Sequence, residues 1–264
     1  MKLCLIGNGA IAQHVAQGIA RHGHSIGAYL LRPERVAGIG ADKKTGIVFH
    51  SDVAAMPDDI DLVVDCAGHT ALRQYGGDVL RSGRDLVTVS IGALANQELA
   101  HNLEVAALAG ASRLHLASGA IGALDTLRAA RTGTLDRVRY IGRKPPAGWM
   151  ESPAQETLDL ENMGDEAQTH FNGTARQAAL DYPKNANVAA AVALSGLGFD
   201  RTEVTLIADP TISENIHEIH ATGDFGHFEF SISGKSLADN PRSSALAAMS
   251  VVSLIAAQTQ PIVF

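Results

Sequence analysis

The sequence Gly7-x-Gly9-x-x-Ala12 follows a short apolar run, Lys2–Ile6, and opens a segment, Ala10–Arg21, whose apolar residues recur at helical spacing. A glycine at the first position permits a tight turn. One at the second lets backbone approach a pyrophosphate, and a small third residue lets the helix pack close to the strand. An anion held there would meet the helix N-terminus, where the N–H groups around Ala10 and Ile11 lack intrahelical partners and the helix dipole favours negative charge. Such a turn can also be a merely structural bend, so its context matters. Here the context is alternation: strand-like runs at Ser25–Leu31, Ile47–Phe49, Asp61–Cys66, Asp85–Ser90 and Arg113–Ala117, with helical patterns at Thr70–Ser82 and Glu98–Ala109. Asp61–Cys66 is almost wholly apolar in its middle, as a strand buried on both faces should be. Strands alternating with helices predict an α/β fold with a doubly wound parallel sheet of Rossmann type.

After about residue 120 the rhythm changes. Leu124–Thr132 reads as a helix, Arg137–Gly142 as a strand and Arg143-Lys144-Pro145-Pro146 as a loop; Glu166–Leu180 and Val188–Ser195 read as helices. Val204–Ala208, Ile216–Thr222 and His227–Ser233 are three strand-like runs consistent with antiparallel pairing, and Ser243–Ala257 is a long apolar helix. The expected organisation is a Rossmann domain at 1–118 plus 240–264, the last helix returning to it, and an α+β domain for substrate binding and oligomerisation at 119–239.

With 264 residues, 46% hydrophobic and 19% charged, the chain can build two real cores. A net charge of -7 without a basic run argues against nucleic acid or an acidic membrane surface as partner. A few local Lys and Arg can still hold an anionic small molecule. The two cysteines, Cys4 and Cys66, lie in apolar runs and read as buried, reduced thiols. No Cys/His spacing suggests a metal site. Neither a signal peptide nor a transmembrane run of about 20 apolar residues is visible, so a cytoplasmic protein is expected.

Where NAD-preferring proteins carry an acid at the end of the second strand, this chain has Leu31-Arg32-Pro33-Glu34. Arg32 either holds a 2′-phosphate, which would widen the cofactor from NAD to NADP, or stands solvated at the surface. Cys66-Ala67-Gly68-His69 and Ser90-Ile91-Gly92-Ala93 follow the fourth and fifth strands, at the carboxyl ends where ligands bind in such sheets. Cys66, Ala67, Gly68 and Ser90 therefore join the candidate cofactor contacts, the alternative being ordinary turns. His69 is a loop-surface histidine or a contact on the substrate side.

Four segments are dense in polar groups beside glycine or proline: Ser118-Gly119-Ala120-Ile121-Gly122-Ala123-Leu124-Asp125, Gly142-Arg143-Lys144-Pro145-Pro146, Pro183-Lys184-Asn185-Ala186-Asn187-Val188-Ala189, and Asp209-Pro210 through Glu214-Asn215-Ile216-His217. Together with the glycine turn they resemble the L-aspartate dehydrogenase family over essentially the whole chain. The resemblance implies reversible, NAD- or NADP-dependent oxidation of L-aspartate to iminoaspartate, which hydrolyses to oxaloacetate and ammonia or feeds NAD biosynthesis. It implies His217 as the catalytic histidine and places Ala120 and Asn187 in dinucleotide-contacting segments.

The residues can also be read on their own. Hydride leaves Cα only if nitrogen can donate its lone pair, so the substrate ammonium must first lose a proton, and a histidine can take it near neutral pH. There are eleven histidines, so abundance proves nothing; alternation puts His217 and Ile219 on one strand face and Glu218 and His220 on the other. A substrate with two carboxylates needs cationic partners. Arg143, Lys144 and Lys184 are candidates because they sit in proline-bordered loops, Lys144 first among them. Asn185 and Asn187 offer amides to a carboxylate or a carboxamide, or else cap a turn or helix. Asp125 caps a helix or orients a base. An imine reductase resembling dihydrodipicolinate reductase and a non-catalytic dinucleotide sensor are the competing readings, and a homodimer is expected.

Overall fold

The structure, a computed structural model, describes residues 1–37, 46–237 and 240–262. The chain divides into two compact units, Met1–Ser90 with Gln97–Ala117 and Ala247–Phe264, and Ile91–Asn96 with Ser118–Leu246.

The first unit runs β1 (Lys2–Ile6), α1 (Ala10–Ala20), β2 (Ser25–Leu30), α2 (Pro33–Ala37), β3 (Val48–His50), β4 (Leu62–Asp65), α3 (His69–Arg81), β5 (Asp85–Thr88), α4 (Gln97–Gly110) and β6 (Leu114–Leu116). Its strands form one parallel sheet in the order β3-β2-β1-β4-β5-β6. The chain reverses its direction of winding between β1 and β4, and a ligand crevice opens at the carboxyl ends of the strands at such a point. β1 and β4 are buried almost throughout, which is why they read as continuous apolar runs. Leu3, Leu5, Val64 and Val87 pack with Ala12, Val15 and Ile19 of α1.

The second unit holds α5 (Leu124–Ala130), β7 (Leu135–Lys144), α6 (Ala154–Thr157), β8 (Gln168–Thr174), α7 (Ala175–Asp181), α8 (Asn187–Ser195), β9 (Glu203–Ala208), β10 (Asn215–Gly223), β11 (Gly226–Gly234), β12 (Ser236–Leu237) and β13 (Asn240–Ser244). Five strands form a mixed sheet, β11-β10-β7-β9-β8, and β12 pairs with β13. The closing helix α9 (Ala245–Ala257) brings Val251 and Ile255 into the core of the first unit.

Four expectations are corrected here. Glu166–Leu180 is not one helix. Its first half is strand β8, paired with β9, and α7 starts only at Ala175, where Thr174 and Gln177 close a reciprocal capping box. Arg143 and Lys144 lie on β7 rather than in a loop, because β9 continues to pair with them (Arg143↔Ile207, Lys144↔Ala208) up to the prolines. The three late strands are not a simple antiparallel set: β10 and β11 are antiparallel, but β9 runs parallel to β7 and antiparallel to β8. Two segments given to the first domain also belong with the second unit. Ile91–Asn96 is tied there by the Gly92 N–H, which donates to Asn187 Oδ1 at 2.9 Å, and by the Ala95 carbonyl, which accepts from Arg176. Residues 240–246 follow, with Asn240–Ser244 forming β13 against β12 and α9 beginning at Ala245.

At the last residue of α4, a Cβ on Gly110 would lie 1.9 Å from the Leu80 carbonyl oxygen. Gly→Ala in a helix ordinarily adds up to about 1 kcal/mol of stability; here the collision with backbone reverses the sign. Gly110→Ala is expected to destabilise the protein by about 2 kcal/mol, read as a lower urea midpoint with an unchanged slope.

Candidate active site

In the first unit the glycine turn is built as its sequence requires. Gly7 has φ +91, and a Cβ there would lie 2.8 Å from the Ala67 Cβ, so a side chain is excluded by both conformation and space. Gly9 is the N-cap of α1, with no side-chain cap, and a Cβ at Gly9 or at Gly68 would meet nothing within 4 Å. Backbone donors at the start of α1 thus face open space bordered by glycines, a cradle that fits a pyrophosphate.

Asp65 organises the floor of this cradle. It is fully buried at the end of β4 and accepts from the Thr88 hydroxyl (2.8 Å), the Ser90 hydroxyl (2.6 Å) and the Ala67 N–H (2.9 Å). Burial raises its pKa, and these donors counter the rise. The carboxyl therefore ties the loop after β4 to the loop after β5. Ser90, expected among the cofactor contacts, turns its hydroxyl inward to Asp65 and gives its N–H to Thr88 Oγ1, so its side chain is a strut. Burial pushes the Cys66 thiol well above its ordinary pKa and Cys4 up to about 12, so neither is a nucleophile. Arg32 is exposed. One turn further on, Arg35 Nη1 donates to Asn8 Oδ1 at 3.1 Å, placing a second guanidinium on the glycine loop itself. No local motif marks Arg35, because its reach depends on how α2 is set.

In the second unit, His217, Ile219 and Ala221 are buried on one face of β10, while Glu218 and His220 lie on the other. Across the ladder His217 pairs with Gly142, and Ile219 with Tyr140. Gly142 leaves the space opposite His217 open, since a Cβ there would lie 2.7 Å from the Tyr140 hydroxyl. Through that space Tyr140 Oη reaches His217 Nδ1 at 2.8 Å. Burial raises the Tyr140 pKa, which keeps it a phenol. His217 is 3% exposed; burial first and the Lys144 charge second lower its pKa to about 3. It is neutral at pH 7, with Nδ1 engaged by Tyr140 and Nε2 left for a ligand.

Lys144 lies on the same face of β7 as Tyr140 and Gly142 and is 9% exposed. Its ammonium donates to Asn185 Oδ1 at 2.7 Å and sits 4.8 Å from the centroid of the Trp149 ring. Burial lowers its pKa to about 8. Among the described residues no carboxylate pairs with it. The other two cationic candidates are already engaged: Arg143, on the opposite face of β7, pairs with Asp209 at 2.8 Å, and the exposed Lys184 lies 3.3 Å from Glu151. Asn187 opens α8 and accepts from the Gly92 N–H at 2.9 Å; Ala120 is buried in the same unit. Asp125 stands in the first turn of α5. Among the described residues there is no group of three or more metal-binding side chains and no helix long and apolar enough to cross a membrane.

The cluster also contains residues that the motifs did not single out. Tyr140 meets His217 through cross-strand register, and Trp149, His170 and Tyr182 come together through ring packing. No local sequence pattern carries that information.

The neutral, buried His217 has a consequence for stability. Below pH of about 6.5 the unfolded chain takes up a proton at this residue, and the folded chain refuses it until about pH 3, so stability falls as pH falls through that window. At pH 5 the loss from this one group is about 2 kcal/mol. His217→Gln, which cannot titrate, is expected to lose that much less stability than the wild type between pH 7.5 and 5, measured by urea unfolding at each pH.

Comparison with known proteins places both units. Residues 125–258 match the family model described as aspartate dehydrogenase, C-terminal, and residues 7–117 match the homoserine dehydrogenase NAD-binding domain. The L-aspartate dehydrogenase of Ruegeria pomeroyi is 51% identical over 255 residues, covering 97% of this chain and 91% of that one. That of Cupriavidus necator is 44% identical over 254 residues, covering 96% and 95%. The crystal structure of aspartate dehydrogenase from Thermotoga maritima superimposes with a TM-score of 0.75 at 25% identity, over 100% of this chain and 99% of that one. With an NAD-binding first unit and a second unit that matches over nearly its full length, the chain belongs to the L-aspartate dehydrogenase family.

Proposed function

We propose that the protein catalyses the reversible, NAD(P)-dependent oxidation of L-aspartate to iminoaspartate, which water converts to oxaloacetate and ammonia. The observation that carries the reading is the juxtaposition on one sheet face of a buried lysine, with no carboxylate partner among the described residues, and a neutral histidine held by a phenol. A dicarboxylate substrate needs the first, and an amine that must be deprotonated before oxidation needs the second.

Gly7, Gly9, Ala10, Ile11, Ala67 and Gly68 are the residues to hold the dinucleotide, with Cys66 closing the loop beneath it. Ala120 and Asn187 are proposed as dinucleotide contacts as well. Bound there, the dinucleotide supplies a nicotinamide ring that accepts the Cα hydride together with its electron pair. Lys144 binds a substrate carboxylate through a charge-assisted hydrogen bond. Asn185 holds the ammonium in place and has Nδ2 hydrogens left to donate. The carboxylate does more than anchor the substrate. Burial is the larger cause of the low His217 pKa and the Lys144 charge the smaller; the carboxylate offsets the second, and so raises the basicity of Nε2 once substrate is bound. In the tautomer whose Nδ1–H donates to Tyr140, Nε2 carries the lone pair that takes a proton from the substrate ammonium. As the nitrogen lone pair forms the C=N bond, hydride leaves Cα. His217 then has a proton to return when water adds to the imine carbon and ammonia departs.

The experiment is direct. The protein is incubated with L-aspartate and NAD or NADP and followed by the absorbance of the reduced cofactor, with oxaloacetate plus ammonia for the reverse direction. Turnover is expected. Silence in both directions with both cofactors would leave the sensor reading standing, and reduction of a cyclic imine alone would favour the reductase. His217→Ala is expected to lower kcat/KM by about 10²–10⁴-fold. Lys144→Ala is expected to raise KM for L-aspartate about tenfold or more, the worth of a charge-assisted hydrogen bond.

Arg32 and Arg35 bear on cofactor choice, since two guanidinia just past β2, on either side of Glu34, suit a 2′-phosphate. Arg32→Ala is expected to raise KM for NADP about tenfold while leaving KM for NAD within about twofold. Equal effects on both cofactors would show Arg32 to be a surface residue.

A further inference from the structure

His170 lies at an irregularity of β8. Thr169 pairs with Ile207 and Phe171 with Leu206, so His170 has no residue opposite it on β9. A bulge of this kind bends the strand and re-aims one side chain. The imidazole is seated against the Trp149 ring, with centroids 4.4 Å apart and planes at 70°, and beside Tyr182, with centroids 5.4 Å apart. Lys144 Nζ lies over that same Trp149 ring. His170 Nδ1 is 3.2 Å from the Tyr182 hydroxyl, while Nε2 is buried and has no hydrogen-bond partner among the described residues.

A buried polar nitrogen without a partner costs stability and calls for an explanation. The tautomer indicates one. Tyr182 Oη lies 3.2 Å from Nδ1 and can donate its hydrogen there, the tautomer in which Nδ1 is the acceptor. With Nδ1 accepting, Nε2 carries a hydrogen. Burial first and the nearby Lys144 charge second lower the His170 pKa to about 4, so the ring is a neutral donor at working pH. A neutral N–H and an ammonium therefore meet the same Trp149 ring, and among the described residues both lack an anionic acceptor.

We propose that His170 is a specificity-determining residue whose Nε2–H, together with Lys144 Nζ, forms a subsite for one carboxylate of a small dicarboxylate substrate. The proposal rests on the L-aspartate reading given above but names a residue outside the motifs that carry it. His170 touches the carboxylate and not the reacting carbon, so it acts on binding. The His217–Tyr140 pair remains responsible for the protons.

The test uses the full-length protein with saturating dinucleotide and two readouts. One is calorimetric binding of succinate, a dicarboxylate with no amine to oxidise; the other is steady-state oxidation of L-aspartate. His170→Phe keeps an aromatic ring against Trp149 and removes the donor. It is expected to weaken succinate binding and raise KM for L-aspartate about tenfold, with kcat within about threefold and KM for the dinucleotide unchanged. His170→Gln restores an N–H donor and is expected to recover most of the loss. Should His170→Phe lose its cooperative melt, His170→Met, which also lacks the donor, carries the same expectation. A donor-free variant that folds and binds succinate as the wild type does overturns the subsite, as does a His170→Gln variant no better than His170→Phe. A wild-type protein that binds no succinate overturns it as well. A wild type that binds succinate in a His170-dependent way but does not oxidise L-aspartate supports the subsite and overturns the assigned reaction.

Discussion

Across the β7–β10 ladder the register sets Gly142 against His217 and Tyr140 against Ile219, and the proposed chemistry depends on that alignment. Because side chains alternate at every residue, a slip of one position would carry Tyr140, Lys144 or His217 to the opposite face. The alignment is over-determined. β7 is held on its other edge by β9, and the Arg143–Asp209 pair joins the end of β7 to the residue that follows β9. Gly142 is the position where the sheet gives up packing for function. The missing side chain admits the Tyr140 hydroxyl, and that hydroxyl fixes which imidazole nitrogen is left over.

The same face concentrates an electrostatic cost. A buried ammonium, and two histidines held neutral partly by its charge, lie together among the described residues without a compensating carboxylate. Removing charge from water is expensive unless it is paired, and here the pairing is partial: an amide oxygen from Asn185 and the face of Trp149. A bound carboxylate would supply the absent counter-charge. It would favour the protonated lysine and raise the basicity of the histidines in one step. Binding and activation of the base are thus one electrostatic event, and a substrate without the carboxylate would forfeit both.

How much of this could be read from the sequence differs between the two units. In the first, burial on both faces of β1 and β4 leaves continuous apolar runs, and a dinucleotide turn needs glycines at fixed spacing, so local pattern and tertiary role coincide. In the second, local pattern and role part company. Gln168–Thr174 has the polar, half-exposed composition of an edge strand and merges in sequence with the alanine-rich helix behind it; only the Thr174-x-x-Gln177 capping box marks the boundary. Pro145 and Pro146 made the residues before them look like a loop, whereas those prolines only end a strand that β9 pairs up to Lys144. Lys144, Asn185 and His217 were legible through their motifs. Tyr140 and His170 were not, because one is selected by a ladder register and the other by a bulge.

The motifs that carried the family resemblance acquire a physical meaning from this arrangement. Gly142-Arg143-Lys144 supplies the gap, the strut and the buried cation in three successive positions, alternating between the two faces of β7. Asp209 receives the strut, and its carboxylate is held ionised by the Thr211 hydroxyl and N–H and by Arg143. Asn185 receives the cation, and two residues later Asn187 fixes the Gly92 segment from the start of α8. His217 closes the set from β10. Segments far apart in sequence are thus joined in pairs, Arg143 to Asp209, Lys144 to Asn185, Asn187 to Gly92 and Tyr140 to His217. That is why short strings with no helical or strand periodicity of their own identified the chain more sharply than its glycine turn, which reports only that a phosphate can be held.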